Sequence, residues 1–229
     1  MSESKLISEL RSLAEPKYRN FMISLLPTVS SERMIGVRMP LLRKKAKEII
    51  QMGGYEKFLS SLPHDFYEEY AIHAYIVSEL SSKELIARLD EFLPFIDNWG
   101  ICDSLRPKAF FRNKQENLEL IYGWLNSAHT YTARFAAEML MLHYLGQDFL
   151  ADMPDRVASL ARGEYYLDMM VAWYFATALA ERYDDIVPYI INYRLPPWVH
   201  NKAISKAIDS RRLSADKKEF LKKLRVKAN

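Results

Sequence analysis

Glycine, cysteine and long apolar runs are all scarce in this 229-residue chain. Its seven glycines are about half the usual number, which disfavours glycine-rich nucleotide loops and favours helices joined by short connections. The single cysteine, Cys102, excludes an internal disulfide and a cysteine-cluster zinc site. No apolar run reaches the roughly 18 residues that a membrane span needs, and the polar N-terminus lacks the apolar segment of a signal peptide. We therefore expect a soluble, cytoplasmic protein that binds no membrane.

The patterns of common cofactor sites are also missing from the sequence. Its five histidines show no His-Glu-x-x-His or similar metal-ligand spacing, and there is neither a P-loop nor a Rossmann glycine pattern. We expect no metal and no cofactor. Hydrophobic residues make up 49% of the chain and aromatic residues 13%, which is enough to bury a full core in one domain spanning residues 1–229.

The formal net charge of +3 hides an uneven distribution of charge along the chain. Arg33–Lys47 contains six basic residues and no acid, and Pro196–Asn229 contains ten basic residues and three acids. Between them, Asp65–Asp97 contains eight acids and two bases. Basic patches of this kind suit a polyanion, although charge runs are often only the solvated faces of helices. Both interpretations stay open on charge alone.

Helical periodicity and the absence of alternating apolar and polar runs predict an all-α protein with about fourteen helices. Many of these helices are too short to hold alone in water, so they must stack on neighbours. Trp99, Arg134 and Trp173 each fall in a helix after a shorter partner, separated by 35 and then 39 residues. Such steps match the two-helix period of about 40 residues in HEAT-type arrays. The predicted fold is therefore an α-α superhelix, or solenoid, of HEAT-like repeats, with a compact non-repeating bundle as the alternative.

The stretch most suggestive of chemistry is Asp97–Leu105, which reads Asp-Asn-Trp-Gly-Ile-Cys-Asp-Ser-Leu. In a helix, Trp99 and Asp103 lie one turn apart on the same face. Gly100 costs a helix about 1 kcal/mol relative to alanine, so we expect it to leave space for a group that approaches the backbone closely. A carboxylate beside an indole can serve a cationic ligand or transition state. The alternative is a capping acid and a half-buried tryptophan.

The Trp99 and Asp103 pair, followed by Ser104 and Pro107, is one of five notable segments. The others are Gly36-Val-Arg-Met-Pro-Leu-Leu-Arg, Arg134 in Ala-Arg-Phe-Ala-Ala, Trp173 in Ala-Trp-Tyr-Phe-Ala, and Asn201-Lys-Ala-Ile-Ser-Lys. In order and spacing they resemble the AlkD-type DNA alkylation-repair glycosylases, and the likeness covers nearly the whole chain. The resemblance implies a HEAT-like superhelix with a basic concave face for duplex DNA. It also implies removal of N3- or N7-alkylated purines without a pocket for a flipped base.

By the same resemblance, Asp103 is the catalytic carboxylate, Trp99 and Trp173 line the lesion, and Arg134 holds the DNA backbone. The segregated basic residues that we predict for the rest of the DNA-binding surface are Arg38, Arg43, Lys44, Lys45, Lys47, Lys202 and Lys206. The chain departs from the family pattern at Asn98, where type members have an additional tryptophan. Tyr18 is our candidate for the aromatic residue that contacts the damaged base. The predicted partner is double-stranded DNA carrying alkylated bases, bound by a monomer.

The predicted chemistry also follows from the residue types. A purine alkylated on a ring nitrogen is a cationic leaving group, so its removal needs no general acid. A fixed carboxylate can stabilise the positive charge that develops on the sugar and orient water, while indole faces attract the cation. Two other functions stay open: a HEAT-like protein that binds branched or damaged DNA without catalysis, and an α-solenoid that binds protein.

Overall fold

The structure, a computed structural model, describes residues 3–111 and 114–227. Those residues form fourteen α-helices joined by turns and short 3₁₀ segments, and they contain no strand. The all-α prediction is therefore confirmed. In chain order, α1 to α14 are Glu3–Ser12, Pro16–Leu25, Met39–Met52, Tyr55–Leu59, Tyr67–Glu79, Ser82–Phe92, Trp99–Cys102, Lys114–Leu125, Thr130–His143, Met153–Ala158, Tyr165–Glu181, Tyr183–Ile191, Pro197–Asp209 and Ala215–Lys223.

The helices pack as two compact units, Met1–Asn113 and Lys114–Asn229. Helices α1–α7 belong to the first unit and α8–α14 to the second. The single domain expected over residues 1–229 and the superhelix of repeats stay predictions. Among the helices of the described residues, none has both the length and the apolar character that crossing a bilayer demands.

Helix α5 forms the centre of the first unit because it is buried on every face. All of its residues except Glu79 are buried, and α3, α6 and α7 pack against it. The buried set includes Glu68, Glu69 and His73. Since a buried polar group is costly unless it is hydrogen-bonded, these side chains tie α5 to the segments around it.

Glu68 holds the segment that leads into the basic helix α3. Its carboxylate accepts hydrogen bonds from the backbone N–H groups of Ile35, Gly36 and Val37, at 3.0, 2.7 and 3.3 Å. Gly36 has a φ of 99°, and a Cβ at this position would lie 2.5 Å from the Cβ of Arg19. Only glycine suits both the dihedral angle and the close approach. The start of α3 is therefore positioned by α5 and α2.

In the second unit, α9, α11 and α13 lie side by side with α11 in the middle. Helix α8 packs on α9, while α10 and α12 pack on α11. Each of the three central helices follows a shorter helix in the chain, as expected for the helices of Arg134 and Trp173. The same expectation is wrong for Trp99, because α7 is shorter than α6, the α-helix before it. The apolar helix α11 is buried along most of its length, which agrees with its sequence.

Candidate functional site

Trp99 and Asp103 lie on one short turn of the first unit. Asn98 caps helix α7, because its Oδ1 accepts a hydrogen bond from the N–H of Ile101 at 3.0 Å. The backbone N–H of Asp103 donates to the carbonyl of Trp99 at 2.9 Å. The two side chains therefore leave the backbone one helical turn apart on the same face, as their spacing predicted, and both are half-buried.

The helix that carries Trp99 is short, because α7 covers only Trp99–Cys102 and ends well before Pro107. The N–H groups of Ser104 and Leu105 donate to carbonyls three residues earlier, both at 3.1 Å, which is the tightened geometry typical of helix ends. The Ser104 hydroxyl also donates to the carbonyl of Gly100 at 2.6 Å. The carboxylate of the pair consequently stands at the C-terminal end of the turn.

Other side chains of the protein approach the backbone of Gly100 too closely for a larger residue to fit at this position without a shift. A Cβ at this position would lie 3.0 Å from the hydroxyl of Tyr67 on α5. It would also lie 3.2 Å from Oδ1 of Asn98 and 3.2 Å from Cδ2 of Leu26. The expected open space is therefore filled, and the absence of a side chain lets the turn sit directly on α5.

The indole of Trp99 is anchored to the end of α2, where its Nε1–H donates to the carbonyl of Leu25 at 3.2 Å. Tyr18, the candidate for contact with a damaged base, lies on the same helix and is half-buried. The guanidinium of Arg38 lies 5.2 Å from the centroid of its ring. Burial raises the pKa of the Tyr18 hydroxyl. Its role toward a base stays a prediction.

A cavity of about 300 Å³ lies next to the Asp103 turn in the first unit. Ser104 belongs to its lining, together with Tyr75 and Ser78 of α5. Its charged lining consists of four basic residues and one acid, namely Arg43, Lys47, Arg106, Lys108 and Glu79. The ammonium of Lys108 pairs with Glu79 at 2.6 Å. The lining of the cavity therefore carries a net positive charge and includes Ser104, the residue after the candidate catalytic Asp103.

Two of these basic residues, Arg106 and Lys108, were missed by the sequence analysis. They follow Asp103 directly in Arg106-Pro-Lys108, where no helical period connects them with the other basic residues. The backbone N–H of Arg106 donates to the Ser78 hydroxyl at 2.8 Å, which holds this segment against α5. Closeness in sequence to the Asp103 motif was the signal that could have identified them.

The other predicted basic residues of this region have acidic neighbours. Arg38 forms two hydrogen bonds of 2.8 Å with the carboxylate of Glu15. The ammonium of Lys45 pairs with the carboxylates of Glu48 at 2.6 Å and Glu9 at 2.9 Å. Its hydrogen bond to Glu48, and to a lesser extent that to Glu9, raises the pKa of Lys45. Lys44, 4.0 Å from Glu48, is largely exposed. The predicted contacts of these three residues with DNA stay predictions.

In the second unit, Trp173 lines an open cavity of about 400 Å³. Its indole is half-buried on α11, and Ala176, Thr177 and Ala180 of the same helix also line the cavity. The rest of the lining comes from α13 and the residues after it, Lys206, Asp209, Ser210 and Arg212. Arg212 pairs with Glu181. The most apolar helix of the chain therefore presents its tryptophan to solvent next to basic groups.

Arg134, Lys202 and Lys206 form a cationic group in the same unit. Burial lowers the pKa of Lys206, and the positive charges of Lys202 and Arg134 lower it further, while the charge of Asp209 opposes the shift. Arg134 is buried, and its Nη1 donates to the carbonyl of Tyr166 at 2.7 Å. Such a group of like charges is stabilised by a bound anion.

A family model described as DNA alkylation repair enzyme matches residues 6–206. This range covers most of the chain and includes every site residue that the sequence predicted. The chain belongs to the DNA alkylation repair enzyme family. The resemblance inferred from its motifs is thereby confirmed. A search among curated proteins finds no match to the chain.

Membership of the DNA alkylation repair enzyme family implies a DNA substrate. The charged lining of the first cavity is mostly basic, which is the sign of charge that a polyanion requires, whereas that of the second is Lys206, Arg212 and Asp209. The first unit contributes Trp99 and Asp103. The two basic residues that follow this motif line the cavity together with Arg43 and Lys47. The second unit contributes Trp173 together with Arg134, Lys202 and Lys206.

Proposed function

We propose that the protein is a DNA glycosylase that releases cationic N3- and N7-alkylated purines from duplex DNA. The observation that carries this proposal is Asp103 one helical turn from Trp99, in a segment whose next residues, beginning with Ser104, line a cavity with four basic side chains. A carboxylate on a phosphate-binding surface repels DNA. Its presence there is best explained by an interaction with a cationic centre.

In the proposed reaction, the bond between C1′ of the deoxyribose and the ring nitrogen of the purine breaks, and its electron pair leaves with the base. The alkylated base is already cationic, so it departs as a neutral molecule and needs no general acid. The positive charge passes to the sugar, where Asp103 stabilises it electrostatically. A water oxygen then bonds to C1′, and the proton it loses goes to the carboxylate or to solvent.

Each of the two motif tryptophans can attract a cationic group of the substrate. The faces of an indole carry negative potential and attract a cation within about 6 Å of the ring centroid. Trp99 and Trp173 are each half-buried, so part of each ring stays accessible. Each is also held on a helix that packs in its unit, which limits the motion of the ring.

Phosphate groups are the proposed ligands of the basic side chains. In the first unit these are Arg43, Lys47, Arg106 and Lys108 around the cavity. In the second unit they are the cationic group of Arg134, Lys202 and Lys206. Six to ten such contacts would lower the affinity for duplex DNA by about 10³–10⁵ between 50 and 200 mM salt, almost regardless of base sequence.

The decisive substitution is Asp103→Asn, which keeps the shape of the side chain and removes its charge. Release of 7-methylguanine or 3-methyladenine from methylated duplex DNA should slow by about 10²–10³, as for other losses of one electrostatic stabiliser. Affinity for the same DNA should stay equal or rise, because a repulsive charge is gone. Asp216→Asn, which removes an exposed carboxylate from α14, is the matched control and should leave both quantities unchanged.

Three results would contradict the proposal in different ways. A wild-type protein that releases neither base but binds three- or four-way junctions better than duplex is a binder of branched DNA. Binding that is insensitive to salt, or no binding to any DNA, would favour the protein-binding alternative. Equal rates for Asp103→Asn and the wild type would assign the activity to other residues.

A further inference from the structure

Aromatic side chains near the start of α9, α11 and α13 form a connected series in the second unit. The centroids of Tyr131 and Tyr166 lie 6.3 Å apart, those of Tyr166 and Tyr165 5.1 Å, and those of Tyr165 and Trp198 5.6 Å. Tyr131 is buried and Tyr166 half-buried. Tyr165 and Trp198 are 58% and 44% exposed. The series therefore runs from the core to the solvent.

The exposed pair is held in place by the helices beneath it. Tyr165 is the first residue of α11 and Trp198 the second residue of α13, and these two helices pack against each other. Tyr166 meets Tyr165 edge to face, at an interplanar angle of 85°. Aromatic rings fixed in this way lose little conformational entropy when a ligand packs on them.

Positive charge lies next to the exposed pair. The ammonium of Lys202, one turn along α13, is 5.9 Å from the centroid of the Trp198 ring. The carboxylate of Glu164, adjacent to Tyr165 in sequence, accepts hydrogen bonds from Arg162 at 2.9 Å and from Thr130. The negative charge of Glu164 is therefore balanced by Arg162. A ligand with a flat apolar face and a nearby negative charge fits the surface formed by Tyr165, Trp198 and Lys202.

We propose that Tyr165 and Trp198 form a stacking platform for an unpaired nucleobase of the bound DNA, with Lys202 at the adjacent phosphate. The inference rests on the proposed function as far as DNA is the ligand. Every base has a π-face, so stacking on aromatic rings tolerates any sequence, and a neighbouring lysine supplies the backbone contact. The platform adds contact with a base that has left the duplex stack, which the phosphate contacts of the two cavities do not provide.

The test compares two labelled duplexes that differ in one unpaired 2-aminopurine, a base whose fluorescence falls when it stacks. Wild-type protein should bind the bulged duplex more tightly than the paired one and should quench the 2-aminopurine. Trp198→Ala and Tyr165→Ala should each lose about 5- to 150-fold in affinity for the bulged duplex, the loss expected for one base stacked on one ring. Their affinity for the paired duplex should stay within about twofold of the wild type.

Two further variants separate stacking from structural effects. Trp198→Phe retains a flat ring and should recover most of the affinity and the quenching. Phe220→Ala removes a similarly exposed aromatic residue from α14, 43% exposed, and should change neither. Circular dichroism of each variant should match that of the wild type, because both platform residues lie at the surface.

The inference fails if Trp198→Ala and Tyr165→Ala bind both duplexes as well as the wild type, or lose affinity for both equally. In either case, retained DNA binding by the wild type leaves the proposed function standing. A wild-type protein that binds neither duplex would overturn both the proposed function and the platform.

Discussion

A fall in pH from 7 to 5 should destabilise the first unit through the buried pair of His64 and His73. Nε2 of His64 lies 2.9 Å from Nδ1 of His73, and both rings are buried. His64 stacks on Phe58 with centroids 4.7 Å apart, and His73 stacks on Phe92 at 3.9 Å. Two protonated rings would direct N–H groups at each other across this contact, so the packing requires at least one neutral ring.

The size of the effect follows from the pKa of His64. Burial lowers this pKa to about 4, with Asp65 opposing the shift, and burial also lowers the pKa of His73 well below its ordinary value. In the unfolded chain a histidine has a pKa of about 6.5. Because the folded pKa is the lower one, the stability is fully present above pH 6.5 and is lost as the pH falls toward 4. For His64 alone the loss is about 2 kcal/mol by pH 5 and about 3 kcal/mol in full.

Urea unfolding at pH 7, 6 and 5, followed by circular dichroism, measures this loss. Carboxylates in the unfolded chain titrate mostly below this range, so histidines dominate the slope. His64→Phe keeps the ring stacking and should flatten the dependence of the unfolding free energy on pH. Tyr70→Phe, whose ring lies 5.2 Å from that of His64, removes a hydroxyl that does not titrate here and should keep the wild-type slope. An unfolding free energy that is constant from pH 7 to 5, or a slope unchanged in His64→Phe, would refute this reasoning.

Two further predictions concern the site in the first unit. Fluorescence anisotropy measures how steeply log affinity for duplex DNA falls with log salt. Lys47→Ala should make this slope shallower by about 0.9, the value for one lost phosphate contact. Lys57→Ala on α4 is the control and should leave the slope unchanged. Gly100→Ala should reduce the unfolding free energy, measured by urea unfolding, by about 1 kcal/mol. Overpacking against Tyr67 costs about 1–3 kcal/mol, and the higher helix propensity of alanine offsets about 1 kcal/mol of this cost. A variant more stable than the wild type would contradict the close contact.

The helices were predictable because local signals define them. Pro16, Pro40 and Pro197 lie in the first turns of their helices, and Gly53 ends α3. The burial of α5 was not predictable in the same way, since its sequence includes three glutamates and a histidine. Glu68 is buried because it binds backbone N–H groups more than thirty residues earlier in the chain, and no local period reports such a contact.

In the candidate site, too, local features were predictable from the sequence and long-range contacts were not. The one-turn relation of Trp99 and Asp103 follows from spacing, which is local information. The cavity depends on how the segment after α7 folds back onto α5, through the bond between Arg106 and Ser78. Contacts of that kind join residues distant in sequence, so the sequence places the two basic residues near the motif but does not reveal the cavity that they line.

The acidic partners of α3 decide where its charge can act on DNA. A count along the sequence gives Arg33–Lys47 no acid, yet in the fold Arg38 is bound by Glu15 and Lys45 by Glu9 and Glu48. A phosphate that took these cations would leave three carboxylates facing the DNA, so each exchange gains little. The basic side chains around the cavity outnumber their single acid four to one. We therefore expect the phosphate contacts of the first unit at the basic side chains around this cavity rather than at Arg38 and Lys45.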